Sequence, residues 1–295
     1  MNRFEKKLPI TVLIAVKNEA INLPRCFGTL NKAQRVIVLD SNSTDQTATI
    51  STKYGFEVVQ FHYKGGYPKK RQWALENLLI DTPWIFLLDA DEMITNELWD
   101  QIDLAISDTQ NNKDAFLITK EFHFLGKRMR YGGFGHSAVL LFRAGKANFE
   151  RLFDDDINGL DMEIHERIVV SGAIGVISMP LIHEDFKGLE AYINRHNKYS
   201  TWEAHLRYRY LETGVYGEKT ITPKFFGNPQ EFRRAIKALV IRLPFEEWMW
   251  FFYHYIFRMG FIEGRKGFIA CQIRSSYIAQ VRAKVFELRM KSKSK

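Results

Sequence analysis

Cysteine is nearly absent: the 295 residues hold two, Cys26 and Cys271, near opposite ends of the chain. They follow no metal-ligand spacing and make no disulfide framework for a protein of this size. A zinc module and a stapled extracellular domain are both disfavoured, and a reducing cytoplasm is the simplest setting. Long apolar runs are missing too. The run Leu8 to Val16 is short, ends in Lys17-Asn18-Glu19 and has no small-residue cleavage pattern behind it, so it reads as a buried strand rather than a signal-peptide core. The run Trp248 to Phe257 is about half of the roughly 20 residues a spanning helix needs, so no segment is expected to cross a bilayer. No glycine-rich dinucleotide fingerprint follows the first apolar run and there is no P-loop, which argues against the usual NAD, S-adenosylmethionine or ATP chemistry. There is no internal repeat, and no low-complexity tract beyond the final Lys and Ser residues.

What is present is the composition of an ordinary globular protein, long enough for one large domain or one domain plus an appendage. The formal net charge of +8 is unevenly placed. From Glu231 to Lys295 there are 14 Lys and Arg against 5 Glu, a net of +9, which leaves −1 for residues 1–230. The basicity therefore belongs to one C-terminal segment, and nucleic acid, anionic lipid and plain solvent are all compatible with it.

The first 90 residues alternate β-branched runs with helical patterns, as βαβ units of a mostly parallel sheet do. Ile10–Val16, Arg35–Leu39, Glu57–Phe61 and Trp84–Leu88 read as strands. A helix is expected from about Ala20, and another from a capping box of Ser43 and Gln46 to about Tyr54. A third should span Lys69–Leu79, and a fourth should follow Thr95 as its cap. After Asp114 shorter strands are expected at Ala115–Thr119, Ala138–Phe142, Ile164–Val170 and Ile174–Ile177, extending the same sheet. From about Leu189 the chain reads as interrupted helix rich in Tyr, Trp, Phe and Arg.

In an open parallel sheet ligands bind beyond the carboxyl ends of the strands. Those positions carry Lys17-Asn18-Glu19, Asp40-Ser41-Asn42-Ser43 and Asp89-Ala90-Asp91-Glu92. Asp89 and Asp91, two residues apart at a strand end, can face one cavity, and such hard oxygen ligands suit Mg²⁺ or Mn²⁺ completed by substrate phosphates. Their alternative is a solvated acidic turn before a helix. Asp40 could accept hydrogen bonds from a base or ribose, or only shape its turn with Ser41 and Asn42. Lys69, Lys70 and Arg71 open a helix where basic charge opposes the dipole, so they face either a phosphate or solvent.

Taken together, the runs Ile10–Glu19 (ITVLIAVKNE), Val36–Thr44 (VIVLDSNST) and Trp84–Glu92 (WIFLLDADE), with the Lys69-x-Arg71-Gln72 helix start, resemble the opening half of glycosyltransferase family 2. More narrowly, they resemble its lipopolysaccharide-core and envelope-polysaccharide glucosyltransferases. The resemblance continues through Tyr131–Arg143, Ile164-His165-Glu166 and Leu181-Ile182-His183, and is looser around Gly260–Gly264. It implies an α/β fold of the GT-A, Rossmann-like type. Val16, Lys17, Asn18, Glu19 and Asp40 would hold the nucleoside, and Lys69 and Arg71 would approach the diphosphate. Asp91 would ligate Mg²⁺ or Mn²⁺ most directly, Asp89 would touch ribose or metal-bound water, Ala90 would lie against the nucleotide sugar, and His183 would be a further ligand. Inverting members need a carboxylate base for the acceptor hydroxyl. Glu166 is the candidate; Asp161 and Glu163 compete with it, and an ion pair with Arg167 is its alternative role. The Glu-Asp pair found at this position in many members is missing here.

In the C-terminal segment, Trp248–Phe257 is aromatic almost all round, and Ile273, Tyr277, Val281, Val285 and Leu288 form a stripe beside Arg274, Arg282 and Arg289. Such helices can lie on an anionic membrane, each near-surface Lys or Arg adding about 1 kcal/mol, or can pack against a domain with their charges in water. The membrane is favoured because Trp and Tyr beside Arg and Lys mark bilayer interfaces. The expected organisation is a catalytic domain over 1–200 and a helical, membrane-associating region over 201–295. The expected protein is an inverting, metal-dependent transferase, peripheral on the inner face of the cell membrane. It would move a sugar from a UDP-linked or other nucleotide donor to a glycan or lipid-linked acceptor. A nucleotidyltransferase would want a glycine-rich phosphate loop after the first strand, and a nucleic-acid-binding protein would spread its basic residues over a groove; neither pattern is present.

Overall fold

The structure is a computed structural model. It describes residues 6–108, 110, 112–152, 160–161, 163, 166–226 and 229–293. The chain falls into two compact units. The first comprises Met1–Arg128, Gly135–Phe149 and Asp161–Lys187; the second comprises Met129–Phe134, Glu150–Leu160 and Gly188–Lys295.

The first unit is built on β1 (Leu8–Val16), β2 (Ala33–Asp40), β3 (Glu57–Gln60) and β4 (Trp84–Asp89). β1 and β4 are nearly continuous apolar runs because helices cover both faces of a parallel sheet. Their crossovers are short helices, α1 (Leu23–Phe27), α2 (Thr47–Lys53) and α3 (Lys70–Asn77). After β4 come β5 (Glu92–Met93), α4 (Asn96–Ser107), β6 (Lys113–Phe124), β7 (Lys127–Arg128), β8 (His136–Arg143) and β9 (Ala147–Phe149). Among the described residues one sheet runs β3-β2-β1-β4-β8-β6-β12-β5, with β12 at Ala173–His183. Its first four strands are parallel, β8 runs antiparallel to both β4 and β6, and β12 is parallel to β6. One apolar cluster, with Phe86 and Trp99, fills one face; a second, with Leu13, Ile37 and Phe142, fills the other.

Apart from the strand over 164–170, the expected strands and the α3 helix are where the pattern put them, and the Thr95 side chain accepts from the Leu98 N–H at 3.2 Å as the cap of α4. Two expectations need correction. The first helix is only five residues long and begins at Leu23, with Pro24 in its first turn, because Asn18 to Ala20 are tied into a loop. Ser43 caps no helix: α2 starts at Thr47, since the Ser43 hydroxyl is taken by Asp40 and by the Asn18 N–H. The strand expected over 164–170 is observed as β11 (Ile168–Val170), paired with β9; Ile164 and His165 lie outside the described residues.

The second unit holds β10 (Arg151–Leu152) paired with β13 (Gly217–Lys219), and the helices α5 (Gly188–Thr213), α6 (Pro229–Val240), α7 (Glu246–Phe252) and α8 (Gly264–Lys293). α7 runs on through a π-helical turn, Tyr253–Phe257, and a 3₁₀ turn, Gly260–Glu263, into α8. The stripe read from the sequence is the packed face: Val281 and Val285 are buried with Ala204 of α5, and Tyr277 packs against them. A buried arginine, Arg207 of α5, pairs with Glu203 of the same helix at 3.0 Å and reaches Glu246 of α7 at 2.7 Å. No helix among the described residues is long and apolar enough to cross a membrane.

Candidate functional site

Register brings the three motif-bearing strands to one edge: Val16 sits opposite Asp40, and Ala15 opposite Asp89. The loops after β1 and β2 are then laced together. The Asn18 N–H donates to Ser43 Oγ at 2.8 Å, the Thr44 N–H to Asn18 Oδ1 at 2.8 Å, the Glu19 N–H to Thr47 Oγ1 at 2.8 Å and the Ala20 N–H to Asp45 Oδ2 at 3.1 Å. Asn18 and Asn42 both adopt positive φ, which asparagine tolerates better than most residues and which these tight turns require. Asp40 is buried; its carboxylate accepts from Gln60 Nε2 at 3.0 Å and from the Ser43 N–H and hydroxyl. The Val16 carbonyl accepts from Lys70 Nζ at 2.8 Å and the Ser41 N–H at 3.2 Å. Glu19 is ion-paired with Lys187 and accepts from Asn22, and burial raises its pKa against those partners. Of the five residues expected at the nucleoside, Lys17 and Asn18 are the exposed ones; the other three are engaged in shaping the floor.

The helix α3 is the second structural member of the site. Three carboxylates from the 161–166 stretch each engage its first turn. Glu166 Oε1 lies 2.8 Å from Lys69 Nζ, Asp161 Oδ2 lies 3.2 Å from Lys70 Nζ, and Glu163 accepts from the Arg71 and Gln72 N–H groups at 3.1 and 2.9 Å. Glu163 thereby neutralises the partial positive charge of the helix start, and its burial raises its pKa. The basic run at the head of α3, which looked unfavourable from sequence, is balanced by these acids.

At the end of β4 the two aspartates part ways. Asp89 is held between two cations, Arg71 and Lys120, the latter at 2.9 Å. Burial opposes its ionisation, but the two cations outweigh burial and hold its carboxyl well below the usual carboxylate range. Lys120 Nζ also lies 2.5 Å from Glu92 Oε1, and Glu92 Oε2 accepts from the Asp89 N–H at 2.8 Å, so a wholly buried acid locks the turn from beneath. Asp91 instead meets His183, with Oδ2 3.2 Å from Nε2. His183 stands at the end of β12, opposite Glu92 in register. Burial works against its protonation, yet Asp91 and Glu92 push its pKa up to about 9. Ala90, between the aspartates, is buried.

The structure therefore brings Asp91 and His183 together and gives Asp89 cationic partners. Among the described residues no three His, Cys, Asp or Glu side chains form a group that could hold an ion. Once His183 gives up its proton, its imidazole beside the Asp91 carboxylate fits a divalent ion that takes its remaining ligands from phosphate oxygens and water, as Mg²⁺ and Mn²⁺ do. Sequence reasoning missed Lys120 and the structural roles of Glu92 and Asp161. Lys120 lies in a strand of mixed pattern, and only the β6 register reveals that it points at Asp89. Replacing it should be costly, because Lys120→Met leaves Glu92 buried, and Asp89 half-buried, with less counter-charge. A loss of about 3–5 kcal/mol is expected in urea unfolding, against well under about 1 kcal/mol for an exposed lysine such as Lys53.

Residues 11–118 match the family model described as Glycosyl transferase family 2, a span that includes Asp40, the head of α3 and Asp89-Ala90-Asp91 but ends before Glu166 and His183. The chain is 30% identical over 210 residues to the lipopolysaccharide core biosynthesis glycosyltransferase LpsC of Rhizobium meliloti, covering 67% of this chain and 71% of that one. It is 26% identical to an uncharacterized glycosyltransferase of Rickettsia felis, covering 97% of this chain and 92% of its relative. Among solved structures it is similar to a mannosyltransferase of Pyrobaculum calidifontis in complex with GDP-mannose and Mn²⁺, at 14% identity and a TM-score of 0.44, covering 96% and 88% of the two chains.

Proposed function

Because the chain belongs to glycosyltransferase family 2, we propose that it is an inverting, metal-dependent hexosyltransferase. It takes a sugar from a nucleotide donor, UDP-linked in the first instance, and passes it to a glycan or lipid-linked acceptor of the cell envelope. It works as a peripheral protein at the inner face of an anionic membrane. The observation that carries this reading is the edge where β1, β2 and β4 end together. It presents Asp91 beside His183, with Arg71 and Lys120 gathered around Asp89.

The laced loops after β1 and β2 form a rigid floor for the nucleoside, with Lys17 and Asn18 as its exposed polar groups. Arg71 and Lys69, fixed at the head of α3, supply positive charge toward the diphosphate. Asp91 and His183 would hold Mg²⁺ or Mn²⁺, which when bound neutralises the charge that builds on the departing diphosphate. Glu166 accepts the proton of the acceptor hydroxyl as its oxygen bonds to the anomeric carbon and the bond from that carbon to the diphosphate breaks. Its pairing with Lys69 keeps the carboxylate oriented, and a diphosphate arriving at Lys69 would compete for that cation and leave Glu166 the stronger base. Asp161 and Glu163 are poorer candidates, since one holds a buried lysine and the other the α3 backbone.

The reading is tested by incubating the protein with a panel of nucleotide sugars and Mn²⁺ or Mg²⁺ and scoring nucleoside diphosphate release. Turnover of one donor class well above the rest is expected; no release from any donor, with or without an acceptor extract, contradicts the reading.

A further inference from the structure

The second unit carries an apolar surface that its own packing leaves uncovered. Between Phe245 and Phe268 the chain turns from α7 through the π-helical and 3₁₀ turns into α8. Phe245, Trp248, Phe252, Ile256, Phe257 and Phe261 are all exposed along it, Phe257 to 76% and Trp248 to 57%. An ordinary soluble surface scatters such residues singly; here Trp248, Phe252 and Ile256 recur four residues apart along the helical stretch, with Phe245, Phe257 and Phe261 at its ends.

The charges of the same stretch are sorted by sign. Its three carboxylates are all turned inward or paired. Glu246 is buried on Arg207, Glu263 is buried and accepts the Arg130 and Tyr131 N–H groups at 2.7 Å each, and Glu247 pairs with Arg282 at 3.2 Å. The exposed charges are Arg258 and Arg265, both cationic, the Arg258 guanidinium lying partly over Gly133. The corner is also held in shape. A Cβ on Gly267 would stand 2.2 Å from the Gly260 carbonyl, so α8 and the 3₁₀ turn meet at a distance that only glycine permits, and Met259 adopts a positive φ between the turns. The turn from the π-helical segment into α8 is thus fixed by that close approach.

We propose that this corner is the element by which the protein inserts into an anionic lipid bilayer, aromatic rings in the interface and Arg258 and Arg265 at the phosphates. The inference deepens the membrane part of the proposed function and rests on it. A second copy of the chain is the weaker occupant: a two-fold interface through this corner would set Arg258 and Arg265 facing their own copies with no exposed carboxylate between them.

The test is co-sedimentation of the full chain with vesicles of phosphatidylcholine alone or mixed with phosphatidylglycerol. Wild type should bind the anionic vesicles preferentially, with salt weakening but not removing the binding. Trp248→Ser combined with Phe257→Ser should weaken it by about 10–100-fold, while Phe286→Ser, an exposed aromatic elsewhere on α8, should not. If wild type and the double variant bind alike, the corner is not the inserting element, although the protein still associates with membranes. If wild type binds neither vesicle, the membrane reading falls with it; a dimer that Phe257→Glu dissociates would then identify a second copy as the occupant. Should the double variant not fold, quenching of tryptophan emission by brominated lipid gives the answer: it should drop in Trp248→Phe, and unchanged quenching overturns the proposal. Donor turnover in solution is read separately, so failure of the transferase reading is not confused with failure of this one.

Discussion

Glu166→Gln is expected to bind donor and metal like wild type and to turn over about 10²–10⁴-fold more slowly, the usual contribution of a positioned general base. The amide keeps the size of the side chain but cannot take the proton from the attacking hydroxyl. Donor hydrolysis is a sufficient assay, because water stands in for the acceptor. The structure separates this substitution from its neighbours. Glu163 accepts two backbone N–H groups at the head of α3, so Glu163→Gln places an amide donor against another donor and should lower stability and donor binding together. Asp161→Asn should likewise disturb Lys70, whose amine is buried and pins the end of β1. Binding and turnover should part company in the Glu166 variant alone. A Glu166→Gln protein within a few-fold of wild type, beside a stable Asp161 or Glu163 variant that binds donor but is inactive, would move the base to that neighbour.

Removal of the metal is expected to have an effect of similar size. Excess EDTA, or Asp91→Ala, should weaken nucleoside diphosphate binding severely and slow turnover by about 10²–10³-fold, the several kcal/mol that a metal ion contributes to a developing negative charge. The contrast with Asp89→Ala is informative. Asp89 holds Arg71 and Lys120, so its loss should leave two cations gathered with less counter-charge and reduce stability. Asp91 pairs with His183 at a partly open position, and its loss should cost less stability than that of Asp89, since His183 can shed its proton. Calorimetry of UDP binding with Mn²⁺ or Mg²⁺ reads this directly. Equal affinity in EDTA and after Asp91→Ala would remove the metal from the account.

The strand ends were legible in the sequence because β1, β2 and β4 are buried apolar runs that stop abruptly at polar residues. That pattern alone places Asp89 and Asp91 at the sheet edge. What they would touch was not legible. Asp89 meets Lys120 only because β8 inserts between β4 and β6, and that order depends on pairings far apart in the chain. The balance of Lys69, Lys70 and Arg71 by Glu166, Asp161 and Glu163 spans more than 90 residues, so the basic helix start looked uncompensated. Ser43 shows the opposite failure. Its local spacing to Gln46 fitted a capping box, but Asp40 and Asn18 offered its hydroxyl better partners in space. In the second unit the buried stripe of α8 followed from helical periodicity, whereas the inward turn of Glu246 and Glu263, and hence the uniformly cationic corner, did not.

The central claim, a single displacement at the anomeric carbon assisted by Glu166, is tested most directly by the configuration of the first-formed product. Proton NMR of donor hydrolysis, recorded before mutarotation, reads the anomeric coupling of the released sugar. Inversion relative to the donor is the predicted result. Retention would contradict the claim, since it requires two displacements or front-face departure, and no carboxylate in the 161–166 stretch could then be called the base of a direct transfer.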